Sequence, residues 1–193
     1  MKKIIFLGYS YRNSKLISFF NRSKKVTVTE RKNLPPLNFL KKFDLIISYG
    51  LRSKIPIIYV KSLSGKIINL HISYLPFNKG AHPNFWSWVK NTVKGVSIHY
   101  ISEKIDEGDI IFQKKVYFDN NKITFRKSYN ILRREMDILF IQNFNKILSG
   151  NFVAKKQRKK GSINFKKNLP KNLKSWDVKI SEYLKKFDLN EPS

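Results

Sequence analysis

An asparagine and a histidine stand two residues apart in the stretch NLHISYLPFNKG, residues 69–80. The apolar run that leads into them is typical of a strand, and side chains alternate between the two faces of a strand, so Asn69 and His71 point the same way. Pro76 and the Asn-Lys-Gly turn then carry the chain away and leave the pair at a strand end. An amide donor beside a proton-accepting histidine suits acid–base chemistry.

A carboxylate that could orient His71 occurs in KIDEGDII, where Asp106 lies on a tight turn before another strand. An Asp, His and Asn set suits acyl transfer, because the amide donates to a developing oxyanion, the imidazole moves a proton and the carboxylate stabilises the imidazolium. Asp106 could instead be only a turn residue, since Asp and Gly favour turns. We predict that Asn69, His71 and Asp106 form one catalytic site.

The elements that must position this set alternate between strand and helix over residues 1–150. Apolar or β-branched runs predict strands in KKIIFLG, KVTVTE, DLIISYG, KIINLHIS, GVSIHYIS and DIIFQKKVYF. Helical spacing occurs in RNSKLISFF, in LNFLKKF, in HPNFWSWVKN and in a long pattern that Gly150 ends. This order predicts an α/β fold, a Rossmann-like and mostly parallel sheet flanked by helices, with ligands at the carboxyl ends of its strands.

Residues 151–193 differ from the rest in composition, with twelve Lys or Arg and four acids, Asp177, Glu182, Asp188 and Glu191. We predict a catalytic domain over residues 1–150 and a short basic C-terminal extension over residues 151–193. Trp176 and Tyr183 are the residues expected to anchor the extension. The aromatic residues Phe85, Trp86 and Trp88 are expected to lie in the core.

The composition excludes several classes of protein. The chain has no cysteine, so it has no disulfide framework, no thiolate metal site and no cysteine nucleophile. This fits the reducing cytoplasm, where we expect the protein to be located. Apolar runs such as FDLIIS and IPIIYV have the length of strands, and we expect no membrane span.

The net charge of +26 would suit a polyanion such as a nucleic acid. The lysines are scattered, however, and Lys, Asn, Ile and Phe are over-used together, as an A+T-rich coding sequence would produce. Nucleic-acid binding is therefore not the favoured interpretation.

The segment INLHISYLPFNKGAHPNFWSWVKNTVKGVSIHYISEKIDEGDIIFQKKV resembles the core of the folate-dependent formyltransferase family. It contains Asn-x-His, Leu-Pro with a following Gly, Lys-Gly-Val-x-x-His, and an Asp-x-Gly turn that leads into Ile-Ile-x-Gln. The upstream DLIISYGLRSKIP is similar to the family's strand and loop beside the pterin pocket. The resemblance implies the formyltransferase fold and transfer of a formyl group from 10-formyltetrahydrofolate to a primary amine, with no metal.

By this resemblance, Asn69, His71 and Asp106 take the catalytic positions. The pterin site is expected to be lined by the main chain of Leu51, Arg52, Ser53, Lys54, Ile55, Ser102, Glu103, Lys104 and Ile105. The acceptor is expected to contact Asn78, Lys79, Gly80 and Arg12. His99 matches a family histidine and is left open between packing and support of the site, whereas His82, in a loop, is interpreted as packed or solvated and not catalytic.

Two features that the sequence lacks narrow the range of candidate acceptor amines. The loop GYSYRNSKL is not the glycine-rich form typical of transformylases for glycinamide ribonucleotide, and the residues after 150 are too few for the C-terminal barrel of methionyl-tRNA transformylases. The stretch LPFNKGAHPNFWSW resembles small formyltransferases that act on nucleotide-linked amino-deoxysugars for surface glycans, which is the leading hypothesis. Glycinamide ribonucleotide and methionyl-tRNA stay open as acceptors. A non-catalytic protein of the same fold that binds RNA or membrane also stays open, as does a homodimer.

Overall fold

The computed structural model describes residues 1–119 and 122–188. Its strands are β1 (Lys2–Gly8), β2 (Val26–Arg31), β3 (Leu45–Tyr49), β4 (Ile67–His71), β5 (Lys79–Gly80), β6 (Gly95–Tyr100), β7 (Ile110–Lys115) and β8 (Ile163–Asn164). Six of them form one sheet in the order β2, β1, β3, β4, β6, β7. The strand pairs β2–β1, β1–β3 and β3–β4 are parallel, and the pairs β4–β6 and β6–β7 are antiparallel. The predicted α/β, mostly parallel sheet is confirmed.

The helices are α1 (Leu16–Arg22), α2 (Leu37–Leu40), α3 (Ile57–Ser62), α4 (Pro83–Val89), α5 (Phe125–Ser149) and α6 (Ile180–Asp188). Helix α3 lies in IPIIYV, a run that has the length of a strand in the sequence. Pro56 sets a preformed φ of −62° at its start, and the Pro56 carbonyl accepts from the amides of Tyr59 and Val60. The side chains of Ile57 and Ile58 are exposed, so the apolar content of this run does not correspond to a buried strand.

The sheet is buried on both faces, as a sheet with crossover helices must be. Along β1, Ile4 and Phe6 face the layer that contains α1 and α5, whereas Ile5 and Leu7 face the layer that contains α2 and α3. This alternation follows from the two-residue period of a strand. Burial on both sides explains why the strands are continuous apolar runs.

Helix α5 is the long element that crosses one face of the sheet. The Thr124 hydroxyl caps its first turn by accepting from the amide of Lys127 at 3.1 Å, and Gly150 ends it with a left-handed φ of 73°. Its buried face lies against β1 and α1 through Leu132, Met136, Phe140, Phe144 and Ile147. The predicted stop at Gly150 is confirmed.

The described part of the C-terminal extension folds back onto the rest of the chain. Strand β8 pairs with β5, and Ile180 and Tyr183 of α6 pack with Phe85 and Trp176 in a third apolar cluster. The predicted anchors Trp176 and Tyr183 are therefore confirmed, as is the core position of Phe85, Trp86 and Trp88. The domain boundary at residue 150 stays a prediction, and residues 189–193, including Glu191, lie outside the described residues.

Within residues 1–119 and 122–188, no helix is long and apolar enough to cross a membrane.

Candidate active site

A cleft of about 1040 Å³ opens where β1, β3 and β4 end. Ligands of open α/β sheets bind at the carboxyl ends of the strands, and the cleft occupies that place. Its floor carries Asn69 and His71 from β4, His99 from β6, and Asp106 from the turn after β6. The three residues predicted as catalytic are thus brought together, with His99 as a fourth member.

Strand register explains how β4 and β6 bring these side chains together. Asn69 and His71 point to the same face, and Asn69 lies directly opposite His99 in the antiparallel pair. The Asn69 amide nitrogen lies 3.2 Å from Asp106 Oδ1 and 3.2 Å from His99 Nε2. His99 Nδ1 donates to the Tyr100 carbonyl at 2.7 Å, so in neutral His99 the Nε2 atom accepts from Asn69.

The His71 ring has an oxygen acceptor at each nitrogen. Its Nδ1 lies 3.5 Å from Asp106 Oδ2, and its Nε2 lies 3.2 Å from the Asn78 carbonyl oxygen. Burial lowers the pKa of His71, and the Asp106 carboxylate opposes this shift without reversing it. His71 is therefore neutral near pH 7, and both of its N–H groups find an acceptor once it takes up a proton.

Asp106 is held as a carboxylate by the donors around it. Burial raises its pKa, but His71, then His99 and last the backbone amide of Gly80, which donates to Oδ2 at 2.8 Å, together lower it well below the usual range. The residue has a left-handed φ of 53°, and the following Gly108 lies so close to Tyr100 that a Cβ atom would stand 1.8 Å from its carbonyl oxygen. The Asp-x-Gly pattern is thus a steric requirement of this turn.

The other motif residues brace the loop that follows His71. The Gln113 amide donates to the Leu75 carbonyl at 2.8 Å and to Ser97 Oγ at 2.9 Å. Ser97 in turn accepts from the Leu75 amide at 3.0 Å, and the Leu75–Pro76 peptide is cis. The glutamine of Ile-Ile-x-Gln therefore fixes the Leu-Pro segment beside the site.

The two loops predicted to hold the pterin meet at one end of the cleft. All nine predicted residues line it, namely Leu51, Arg52, Ser53, Lys54, Ile55, Ser102, Glu103, Lys104 and Ile105. The loops follow β3 and β6 directly, and β4 lies between those strands in the sheet. We call this region the loop end of the cleft.

The residues predicted to contact the acceptor are divided. Gly80 lines the cleft, but the buried Asn78 side chain donates to Thr92 Oγ1 at 2.6 Å, and the Lys79 ammonium pairs with Glu107 at 2.8 Å. Arg12 lies beside Glu30, with 3.6 Å between the charged atoms. None of these three residues lines the cleft, and their contact with the acceptor stays a prediction.

Sequence reasoning missed the residues at the opposite end of the cleft. The His82 and Trp176 rings stack there with their centroids 5.4 Å apart, the Arg126 amide donates to the Trp176 carbonyl at 2.8 Å, and the charge of Lys166 acts on His82. We call this region the far end. His82 has a left-handed φ of 52° just before α4 and lines the cleft, where its packing on Trp176 agrees with its interpretation as a packed or solvated residue. No local motif marks these residues, since they come from three distant segments.

The described residues contain no group of three or more histidine or acidic side chains that could hold a metal ion.

Comparison of the chain with known proteins identifies the class of protein that this fold and site define. The family model described as Formyl transferase matches residues 24–135, more than half of the chain, and the chain belongs to this family. The family resemblance seen in the sequence is confirmed.

Individual relatives extend the likeness. The formyltransferase PseJ from Anoxybacillus kamchatkensis, solved with UDP-4,6-dideoxy-4-formamido-L-AltNAc and tetrahydrofolate, is 35% identical with a TM-score of 0.84, over 93% of this chain and 96% of that chain. A dTDP-4-amino-4,6-dideoxyglucose formyltransferase of Mycobacterium tuberculosis is 27% identical over 79% of this chain, which spans 58% of that relative's length. A methionyl-tRNA formyltransferase of Ligilactobacillus salivarius is 32% identical over 59% of this chain and 36% of its own length.

Proposed function

We propose that the protein transfers a formyl group from 10-formyltetrahydrofolate to the amino group of a nucleotide-linked amino-deoxysugar. The observation that carries the proposal is the convergence of Asn69, His71 and Asp106 on the floor of a cleft that has the two predicted pterin loops at one end. The likeness to PseJ, which covers almost the whole of both chains, supports the same reaction.

His71 is the proton acceptor in this proposal. It is neutral near pH 7, so it can take the proton that an attacking amine must lose, and the imidazolium then donates to Asp106 and to the Asn78 carbonyl. When bound, the folate supplies the formyl group, and the residues of the loop end would hold its pterin. The stored proton can leave from His71 toward the departing nitrogen.

Asn69 is the proposed donor to the formyl oxygen as negative charge develops there. In the free protein its amide hydrogens are directed to Asp106 and His99. The role therefore requires that one of these contacts be exchanged for the formyl oxygen when the substrates bind. His99 supports this arrangement by accepting from Asn69.

The far end of the cleft suits a nucleotide. Arg126 and Lys166 provide positive charge, and the ring of Trp176 provides an aromatic surface beside it. Guanidinium and ammonium groups bind diphosphates, and aromatic rings stack on bases. Arg126 also forms a bidentate pair with Asp177, at 2.7 and 3.0 Å, which fixes its position. The proposed location of the reaction is the cytoplasm, whose reducing conditions fit a chain without cysteine.

The deciding experiment is turnover of 10-formyltetrahydrofolate with three acceptors in parallel: a nucleotide-linked 4-amino-4,6-dideoxyhexose, glycinamide ribonucleotide and methionyl-tRNA. Each assay is repeated with His71→Ala. Formylation of the sugar that depends on His71 supports the proposal, and formylation of one of the others replaces it. If none of the three acceptors is formylated although folate binds, and the protein binds RNA or anionic vesicles in a salt-sensitive way, the non-catalytic alternative would be favoured.

A further inference from the structure

The turn that carries Asp106 is held from outside by the C-terminal extension. The Gln157 amide nitrogen donates to the Asp106 carbonyl and to the Gly108 carbonyl, both at 2.8 Å. One side chain thus joins the two ends of the Asp-x-Gly turn. The Oε1 atom of Gln157 is buried and has no hydrogen-bond partner among the described residues, so the side chain is oriented by its two donated bonds alone.

The backbone of the extension sets the place of Gln157. Lys155 forms a two-way bridge with Ile110, in which each amide donates to the other carbonyl at 2.8 Å. Gln157 follows two residues later, so its side chain lies on the same side of the extended chain as that of Lys155. The bridge therefore brings the Gln157 amide to the Asp106 turn.

The same extension places the donor on the other side of Asp106. The amides of Lys79 and Ala81 donate to carbonyls of Ser162 and Asn164, both at 2.8 Å, as β5 pairs with β8. The intervening Gly80 amide points the other way and is the one that donates to Asp106 Oδ2. Strand alternation thus converts the β5–β8 pairing into a contact with the carboxylate.

We propose that Gln157 is a positioning residue for Asp106, and that the C-terminal extension is a working part of the active site. Asp106 touches His71, Asn69 and His99 at 3.2 to 3.5 Å, so a small displacement of its turn changes all of these contacts together. Gln157 lies on the far side of the turn from His71 and acts on it only through Asp106.

The groups that face His71 define what should change when the turn loosens. Asp106 faces its Nδ1 and the Asn78 carbonyl its Nε2, while the His99 ring stands with its centroid 6.1 Å away. Lys79, Glu107 and Lys104 form ion pairs around the same turn. Asp106 is the charge that favours protonated His71, so a loosened turn should lower the pKa of His71 further.

The test uses Gln157→Met, which keeps the length of the side chain and removes its donor, beside Gln142→Met at an exposed position of α5. The chain has three histidines, so each titration can be followed separately by NMR in the full-length protein. Gln157→Met should lower the midpoint of His71 and leave that of His82 in place, and Gln142→Met should change neither. Gln157→Ala, which leaves room for a bridging water, should give the same direction with a smaller shift.

The kinetic part of the test rests on the proposed function and the titration does not, so the two can fail separately. If the protein transfers formyl groups, Gln157→Met should lower kcat by about tenfold to a hundredfold, with folate affinity close to that of wild type. Equal His71 midpoints in the wild type, both Gln157 variants and Gln142→Met would overturn the positioning role. A lower Tm without a shift of His71 would overturn it as well, since it would show a role in stability alone.

Discussion

The two ends of the cleft are built in different ways. The loop end consists of two short segments that each follow directly from a strand of the central sheet, residues 51–55 after β3 and residues 102–105 after β6. The far end combines the start of α4, the start of α5 and the extension, so that His82 stacks on Trp176 across 94 positions of sequence. A site built from segments that directly follow strands can be recognised in the sequence as a motif. A site assembled by the docking of distant segments cannot.

The catalytic floor lies between these ends. It is built partly from strand residues and partly from a turn that the docked extension holds. Asn69, His71 and His99 are fixed by strand register. Asp106 depends on a turn that the extension braces through Gln157 and through the Gly80 amide. The difference predicts that damage to the floor abolishes chemistry, damage to the docking of α6 reduces stability, and damage to the far end weakens binding of the acceptor.

The largest effect is expected for His71→Ala. Loss of a general base costs about a hundredfold to ten-thousandfold in rate, and kcat/KM for formyl transfer should fall by that factor. Folate affinity, measured by titration of tetrahydrofolate, should change little because the loop end is intact. Retention of more than a tenth of the wild-type rate would assign the proton transfer to another group.

A smaller but still large effect is expected in the extension for Ile180→Ala. Ile180 is fully buried against Phe85 and Phe125, and truncation of such a side chain costs about 2–5 kcal/mol of unfolding free energy. The matched control is Ile58→Ala, at a position that is 57% exposed, with an expected cost below about 1 kcal/mol. Urea unfolding measures both, and equal costs would show that α6 is not firmly docked.

At the far end, Trp176→Ala should act on the acceptor. The ring of Trp176 is proposed to stack on the base of the nucleotide, and loss of such an aromatic contact costs about 0.5–1.5 kcal/mol. The KM for the nucleotide-sugar should therefore rise about threefold to tenfold, while kcat and the KM for the folate stay close to wild type. A rise in the folate KM instead would place the folate at the far end.

The smallest effect is a difference in pH dependence between two histidines. Burial lowers the folded-state pKa of both His71 and His82, so the unfolded chain binds more protons below its own histidine pKa of about 6.5, and stability falls as the pH falls through that range. His71→Gln should flatten this slope more than His82→Gln, because His71 is 7% exposed and His82 only half-buried.

Urea unfolding between about pH 5 and 7 measures the slope, in a range where model carboxyl groups are mostly ionised. A slope unchanged by His71→Gln would mean that His71 has the same pKa in the folded and the unfolded chain, and a steeper slope would mean that folding raises its pKa.

The sequence by itself determined the sheet and most of the floor, whereas the loop end was predicted only through the family resemblance. Strand runs separated by short helices define the order of β1 to β4, and the two-residue period of a strand places Asn69 and His71 on one face. The Asp-x-Gly pattern locates Asp106, because Gly108 must pack against a backbone carbonyl. These features follow from local geometry, so a local pattern reveals them.

Only the tertiary structure decided the rest. The pairings of Asn78 and Arg12 and the cleft position of His82 depend on residues that are distant in the sequence. The basic extension gives no sign in its composition that Gln157 and Trp176 reach the site. Docking is set by the complementarity of whole surfaces, and that complementarity exists only once the chain has folded.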